Sequence, residues 1–264
     1  MGFNLRNRSI FSLGLALPGV FWELLVPLGT WAHPENVQRE AAPRRGIEAI
    51  FETLLQRSYW RAIEDAREAE ETDIDHDLWA IDPDNPDLIW SEASEVLVVT
   101  WTDWDGYDER VGSPFNLERP VWVTPAPQVQ NFCQGLNFDP PSLTLRLEQY
   151  LGLPPHNGKT QFVELWVSPD DLWRPCPDPE IDDRSCQLQF PEEVSLEHKR
   201  SIVELMLSSY GANGYPWTRL GYTYDWGRVR SKVGASEFVI ASGATVTVRS
   251  VQRTEEFCQG IPDL

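Results

Sequence analysis

Residues 215–227, YPWTRLGYTYDWG, and the stretch GASEFVIASGATVTV that follows at 234–248 carry the densest set of polar and aromatic side chains in the sequence. Arg219, Tyr222, Tyr224, Asp225 and Glu237 supply one guanidinium, two phenols and two carboxylates. A guanidinium can hold an anionic group bidentately, and a carboxyl group in a cleft can accept from a hydroxyl or move a proton. Arg219, Tyr224 and Glu237 are therefore the candidate catalytic residues, with Tyr222, Asp225 and Trp226 as candidate ligand contacts. The competing reading is structural: an Arg–carboxylate pair that fixes a hairpin, and tyrosines along a core edge.

Tryptophan is over-used, at twelve residues. An indole can stack on a sugar face or anchor an interface, so an aromatic, acidic surface suits carbohydrate recognition. Trp104, between Asp103 and Asp105, is expected at the surface as a further ligand contact. Trp166, on the alternating run with Phe162 and Glu164, is expected in the core.

Glu237, followed by an apolar triplet, then Gly243 and alternating valines, resembles the catalytic-glutamate strand of the ADP-ribosyltransferase-like fold. An upstream Arg, here Arg219, belongs to the same pattern. The resemblance covers about 35 of 264 residues. It implies an Arg that holds NAD phosphates and a Glu that contacts the nicotinamide ribose, hence an NAD-using transferase or glycohydrolase-like enzyme. The chain departs from the pattern in two places: Arg219 stands only 18 residues before Glu237, and Ala235 occupies a position where transferases often carry a second acid or Gln.

Other chemistries find little footing. There is no GxSxG, and His33, His76, His156 and His198 lack metal spacing. Asp73, Asp75 and Asp77 place oxygen ligands at alternate positions, as Ca²⁺ takes them, but Leu78 stands where a calcium loop needs Gly. A second acidic cluster, Asp103, Asp105 and Asp108, does contain Gly106. Solvated turns account for both clusters, so calcium is a weak reading, no metal site is assigned, and no cofactor is expected outside the NAD alternative.

Lys and Arg number 22 against 41 Asp and Glu, a net charge of −19, which opposes phosphate backbones and anionic lipid heads. Neither nucleic acid nor a membrane surface is an expected partner; an extracytoplasmic ligand or protein is. Arg6 and Arg8 precede a mostly apolar run from Ile10 to Leu28, and Thr30-Trp31-Ala32 supplies small residues before a cut after Ala32. That is the layout of a signal peptide, interrupted by Pro18 and Glu23, with an uncleaved anchor as the rival. Export makes the four cysteines candidates for two disulfides. Cys176 and Cys186 flank a Pro- and Asp-rich loop, while Cys133 and Cys258 each sit in the tetrapeptide FCQG. Pairing Cys133 with Cys258 and Cys176 with Cys186 is the expected connectivity.

The elements that must position these residues follow from periodicity. Residues 33–45 read as a linker, and Ile47, Ile50, Phe51, Leu54, Leu55, Ile63 and Ala66 recur at helical spacing up to about Glu70. Strands are expected at 94–101, 121–125 and 160–168, and CQLQF follows the second cysteine pair. A helix capped by Ser142 should run to Tyr150, and another from Ser195 to Ser209 with Leu196, Ile202, Val203 and Met206 on one side. GYTYDWG, ASEFVIA and ATVTVRSV read as three strands, with 215–227 and 234–240 adjacent and antiparallel. There are no regular strand–helix–strand units, so the expected class is α+β, a mainly antiparallel sheet with two or three packed helices and two disulfides. The organisation expected is 1–32 signal peptide, 33–93 linker and N-terminal helical region, and 94–264 main domain.

Overall fold

The computed structural model describes residues 41–228 and 230–260. The signal-peptide reading of 1–32 lies outside them. The chain divides into two units, Met1–Gly46 and Ile47–Leu264, of which the first lies almost wholly outside the described residues. Residues 47–93 belong to the second unit. Among the described residues, no helix is long and apolar enough to cross a membrane.

The fold is α+β and mainly antiparallel, as expected. Helix α1 (Ala41–Arg67) leads into β1 (Val96–Thr102), β2 (Pro114–Asn116), β3 (Val121–Pro125), α2 (Gln128–Gln134) and α3 (Pro140–Tyr150). Then come β4 (Gln161–Val167), β5 (Leu172–Trp173), α4 (Leu196–Ser209), β6 (Tyr222–Tyr224), β7 (Val233–Ser236), β8 (Phe238–Ile240), β9 (Thr245–Arg253) and α5 (Thr254–Gln259). Seven strands form one sheet in the order β2-β9-β4-β1-β3-β8-β5, and β6 pairs with β7 in a second, two-stranded sheet.

Alternation decides which side chains the main sheet presents on each face, because successive Cβ atoms point oppositely. Val96 and Val98 of β1, Val163, Leu165 and Val167 of β4, Phe238 and Ile240 of β8, and Val246 and Val248 of β9 form one apolar layer with Ile81, Leu88, Tyr107 and Leu117. The intervening residues, Val99 and Trp101 of β1 and Phe162 of β4, face α2, α3 and α5 through Val129, Leu143, Leu147 and Phe257. Trp101 stacks on Phe162 at 5.5 Å, and its indole N–H donates to Thr254 Oγ1 at 3.0 Å.

Both disulfides have the expected connectivity, Cys133–Cys258 and Cys176–Cys186. The two FCQG copies thus lie on α2 and α5, and the first bridge ties these short helices under the sheet. The second closes a loop held from within by Arg174. Its guanidinium, fully buried, donates to the carbonyls of Glu180, Ile181 and Asp183 and lies 4.9 Å from the Phe238 ring centroid.

Several local expectations are corrected. Helix α1 starts at Ala41, inside the stretch read as linker. Its first apolar turns, Ile47, Ile50, Phe51 and Leu54, stay exposed, while Leu55, Tyr59, Ile63 and Ala66 are buried. Helix α3 begins two residues before Ser142, at Pro140 behind Asp139, because a proline at the first helical position needs no N–H partner. Residues 186–190, CQLQF, form no strand. In α4, Ser195 does cap by accepting from the His198 N–H at 3.1 Å, yet Leu196 is 81% exposed and only Ile202 of the expected stripe is buried. Trp166 is half-buried, with the Arg249 guanidinium over its ring at 5.9 Å.

Candidate functional site

The main sheet loses its pairing between β1 and β3. Strand β1 pairs with β4 along all seven of its residues, but with β3 only at Val98↔Pro125 and Val99↔Thr124. Beyond Val99 the two strands part. Thr100, Trp101 and Thr102 line one wall of the resulting cleft, and Val121, Trp122 and Val123 line the other. The cleft has a volume of about 890 Å³, the size of a small-ligand site.

Glu237 sits at a junction on its floor. Strand β7 ends at Ser236 on β6, and β8 starts at Phe238 on β3, so one extended segment changes sheets at Glu237. The Glu237 N–H donates to Gly221 O at 2.9 Å and the Ser236 N–H to Gln128 Oε1 at 2.9 Å, which pins the backbone on both sides. Continuing the register past Val123↔Phe238 sets Glu237 opposite Thr124. Both line the cleft, together with Trp217.

Three buried polar atoms here have no hydrogen-bond partner: Glu237 Oε2, Thr124 Oγ1 and the indole nitrogen of Trp217. Buried polar groups are nearly always paired, and leaving one unpaired costs about 1–3 kcal/mol. A donor, an acceptor and a hydroxyl are thus left unpaired on three residues that line one cavity, where a bound polar molecule could supply partners. Burial pushes the Glu237 pKa up to about 8, with no opposing charge or hydrogen bond. At neutral pH the group is mostly the neutral acid, able both to donate and to accept.

Aromatic rings line the rest. Trp122 and Trp217 meet edge to face at 6.5 Å, and Trp104, 42% exposed, packs against Tyr107 at 4.7 Å. Gly106 lies under the Trp104 ring so closely that a Cβ there would fall 2.0 Å from it. Lys159, its pKa lowered by burial, lines the cleft and donates to Trp101 O at 2.9 Å.

The residues singled out from sequence are placed as follows. Strands β6 and β7 are adjacent and antiparallel, with Tyr222 opposite Ser236. Glu237, Tyr224 and Trp104 all line the cleft. The Tyr224 hydroxyl donates to Asp65 Oδ2 at 2.9 Å, and Lys232 bridges Asp65 and Asp73, each at 2.8 Å. Burial, with Asp65 accepting from the hydroxyl, raises the Tyr224 pKa. Arg219 is not part of the cleft lining. Its guanidinium donates to Arg67 O at 3.0 Å and lies 5.8 Å from the Tyr210 ring centroid. Tyr222 donates to Asp73 O at 2.8 Å from within a buried cluster with Leu78, Cys176, Cys186 and Leu220. Asp225, fully buried, binds Arg146 through both oxygens and has Arg228 at 3.6 Å. Trp226 donates to Leu153 O at 3.0 Å and packs on Tyr59 at 5.7 Å.

Thr124 and Trp217 were not singled out by sequence reasoning, although both were in view on the expected strand 121–125 and in YPWTRLG. Among the described residues no group of three or more His, Cys, Asp or Glu side chains is placed so that it could hold a metal ion. Comparison with protein-family models, characterised proteins and solved structures returns no match to this chain.

Proposed function

We propose that the chain is an exported binding domain whose site is the cleft between β1 and β3, and that its ligand is a small polar ring compound of the saccharide class. One observation carries this reading: Glu237 Oε2, Thr124 Oγ1 and the Trp217 indole N–H are buried, unpartnered and gathered on one cavity. Hydroxyls around a ring match that donor and acceptor set, while Trp122, Trp217 and Trp104 offer apolar faces for the C–H side of the ring. Two disulfides and the apolar segment after Arg6 and Arg8 support export.

The test is titration of the oxidised chain with neutral mono- and disaccharides, followed by tryptophan fluorescence. Saturable quenching in the millimolar range by at least one of them is expected, weakened by Glu237→Gln and by Trp217→Phe. Absence of any saturable change across the set overturns the reading.

A second reading is favoured by the placement of Glu237 and Tyr224 on the same cleft: an NAD-using enzyme with Glu237 at the nicotinamide ribose. Arg219 would take no part in it, being held by Arg67 O. Nicotinamide release from NAD, lost in Glu237→Gln, would support this reading; NAD left intact and unbound in calorimetry would exclude it.

A further inference from the structure

The mouth of the same cleft differs from the rest of the protein in charge. Across the chain acids outnumber bases 41 to 22. Along the cleft the charged side chains are Arg110, Arg119 and Lys159 against Glu118 and Glu237. Because Glu237 is mostly neutral at pH 7, the lining is cationic within a strongly acidic molecule.

Two of these cations converge with a phenol. Arg110 ends the short 3-10 turn Asp105–Arg110, and Arg119 lies in the connection between β2 and β3. Arg110 is oriented by its Nε, which donates to Gly106 O at 2.8 Å, and its guanidinium lies 4.8 Å from the Phe115 ring centroid. Its two Nη groups have no partner among the described residues, and Arg119 makes no ion pair or hydrogen bond there. Tyr107, inserted edge-on between Trp104 and Phe115, keeps its hydroxyl unbonded. Both guanidiniums act on that phenol and partly offset the rise that burial gives its pKa. Arg110, Arg119 and Tyr107 all line the cleft, as do the Trp104 and Phe115 rings beside them.

We infer that Arg110, Arg119 and the Tyr107 hydroxyl form an anion subsite, so that the ligand is an acidic ring compound, a sugar bearing a carboxylate or a phosphate. The inference rests on the cleft being the ligand site. An oxyanion there gains charge-assisted N–H donors and one O–H donor, with the guanidinium planes already steadied by a ring and a carbonyl. The ring of the ligand then reaches Glu237, Thr124 and Trp217. Negative charge elsewhere on the surface excludes large polyanions, while a small monoanion can be drawn into a cationic recess.

The experiment compares glucose, glucuronate and glucose 6-phosphate, which share a ring and differ in their anion, by calorimetry on the oxidised full chain at pH 7 and low ionic strength. At least one acidic probe is expected to bind tenfold or more tighter than glucose, and the better of the two identifies carboxylate or phosphate as the group taken. Arg119→Gln, on an exposed loop, should erase that preference without altering the melting temperature. Glu118→Gln should sharpen it, and Arg200→Gln, on the surface of α4, should leave it unchanged. Equal binding of all three probes, or a preference that survives Arg119→Gln, overturns the anion subsite and leaves the ligand cleft standing. No binding of any probe overturns both.

Discussion

Thr124 and Glu237 each stand one residue beyond the last β3–β8 pair, Val123↔Phe238, and neither Thr124 Oγ1 nor Glu237 Oε2 is hydrogen-bonded. Each atom is buried without a partner, on a residue that lines the cleft, so hydrogen-bonding capacity beside the cleft is left unused by the protein itself.

That arrangement makes Glu237 a liability at high pH. Its folded-state pKa is about 8 against an ordinary 4.5, so the native state holds the proton more tightly than the unfolded chain. As pH rises through 4.5 the unfolded carboxyl ionises while the native one does not, and stability falls until native Glu237 also ionises near pH 8. Glu237→Gln removes this dependence. The variant should match the wild type in melting temperature at pH 4 and exceed it at pH 9. Parallel pH profiles for the two proteins would show that the carboxyl is not shielded.

Trp217 separates hydrogen bonding from packing. Its ring packs on Trp122 and lies 6.5 Å from Tyr210, while its indole N–H is unsatisfied. Trp217→Phe keeps most of the aromatic contact and deletes a buried donor that has no partner in the free protein. Stability measured by denaturant titration should therefore change by less than about 1 kcal/mol, and ligand affinity should drop about tenfold through one lost hydrogen bond. A large stability loss with unchanged affinity would place the N–H outside the ligand.

How far the sequence announced this site depends on the residue. The continuous β-branched run SEVLVVTW and the alternation in TQFVELWVS showed the central strands, the first because a strand covered on both faces is apolar throughout. Glu237 was visible as a carboxylate within an apolar run. Arg219 and Asp225 were equally visible as charged residues among aromatics, but their partners, Arg67 O and Arg146, come from segments 152 and 79 residues away, and no local pattern reveals such pairings. The cleft itself was not legible. It lies where the β1–β3 pairing stops after Val99, a matter of strand pairing rather than of local residue pattern, and Thr124 and Trp217 gained their significance only from lining it. The exposed Leu196 shows the same limit in α4: helical spacing predicts a face, but only the neighbouring elements decide whether anything covers it.

The bond between Arg146 and Asp225 tests the structural role of a residue that the sequence offered as a ligand contact. Asp225 is fully buried, accepts from the Arg146 Nη1 at 2.8 Å and from the Gly227 N–H at 3.0 Å, and lies outside the cleft lining. Asp225→Asn leaves a mostly buried guanidinium without its counter-charge, a change that costs on the order of 3–5 kcal/mol. Denaturant unfolding should show that loss, while the affinity of the folded fraction for a cleft ligand stays the same. Lost affinity at full stability would return Asp225 to the site.

The two disulfides should differ in worth. Cys133–Cys258 closes 125 residues and Cys176–Cys186 closes 10. In the chain-entropy model these restrict the unfolded state by about 5 and about 2.7 kcal/mol respectively. Replacing Cys133 and Cys258 by Ala should thus lower stability by roughly 2 kcal/mol more than replacing Cys176 and Cys186, as read from denaturant midpoints at constant slope. The short loop complicates the comparison in a useful direction. Arg174 and its three carbonyl bonds already tie residues 174–183 together, so the short loop has a second constraint besides its bridge. Between α2 and α5 the side-chain hydrogen bond is Gln130 donating to Phe257 O at 3.1 Å, while the Phe257 ring stacks on Phe162 of β4. If the short bridge proves the costlier to remove, Arg174 depends on the disulfide rather than substituting for it, and the triple variant, Arg174→Met with Cys176 and Cys186 both replaced, should then be no less stable than the variant lacking the two cysteines alone.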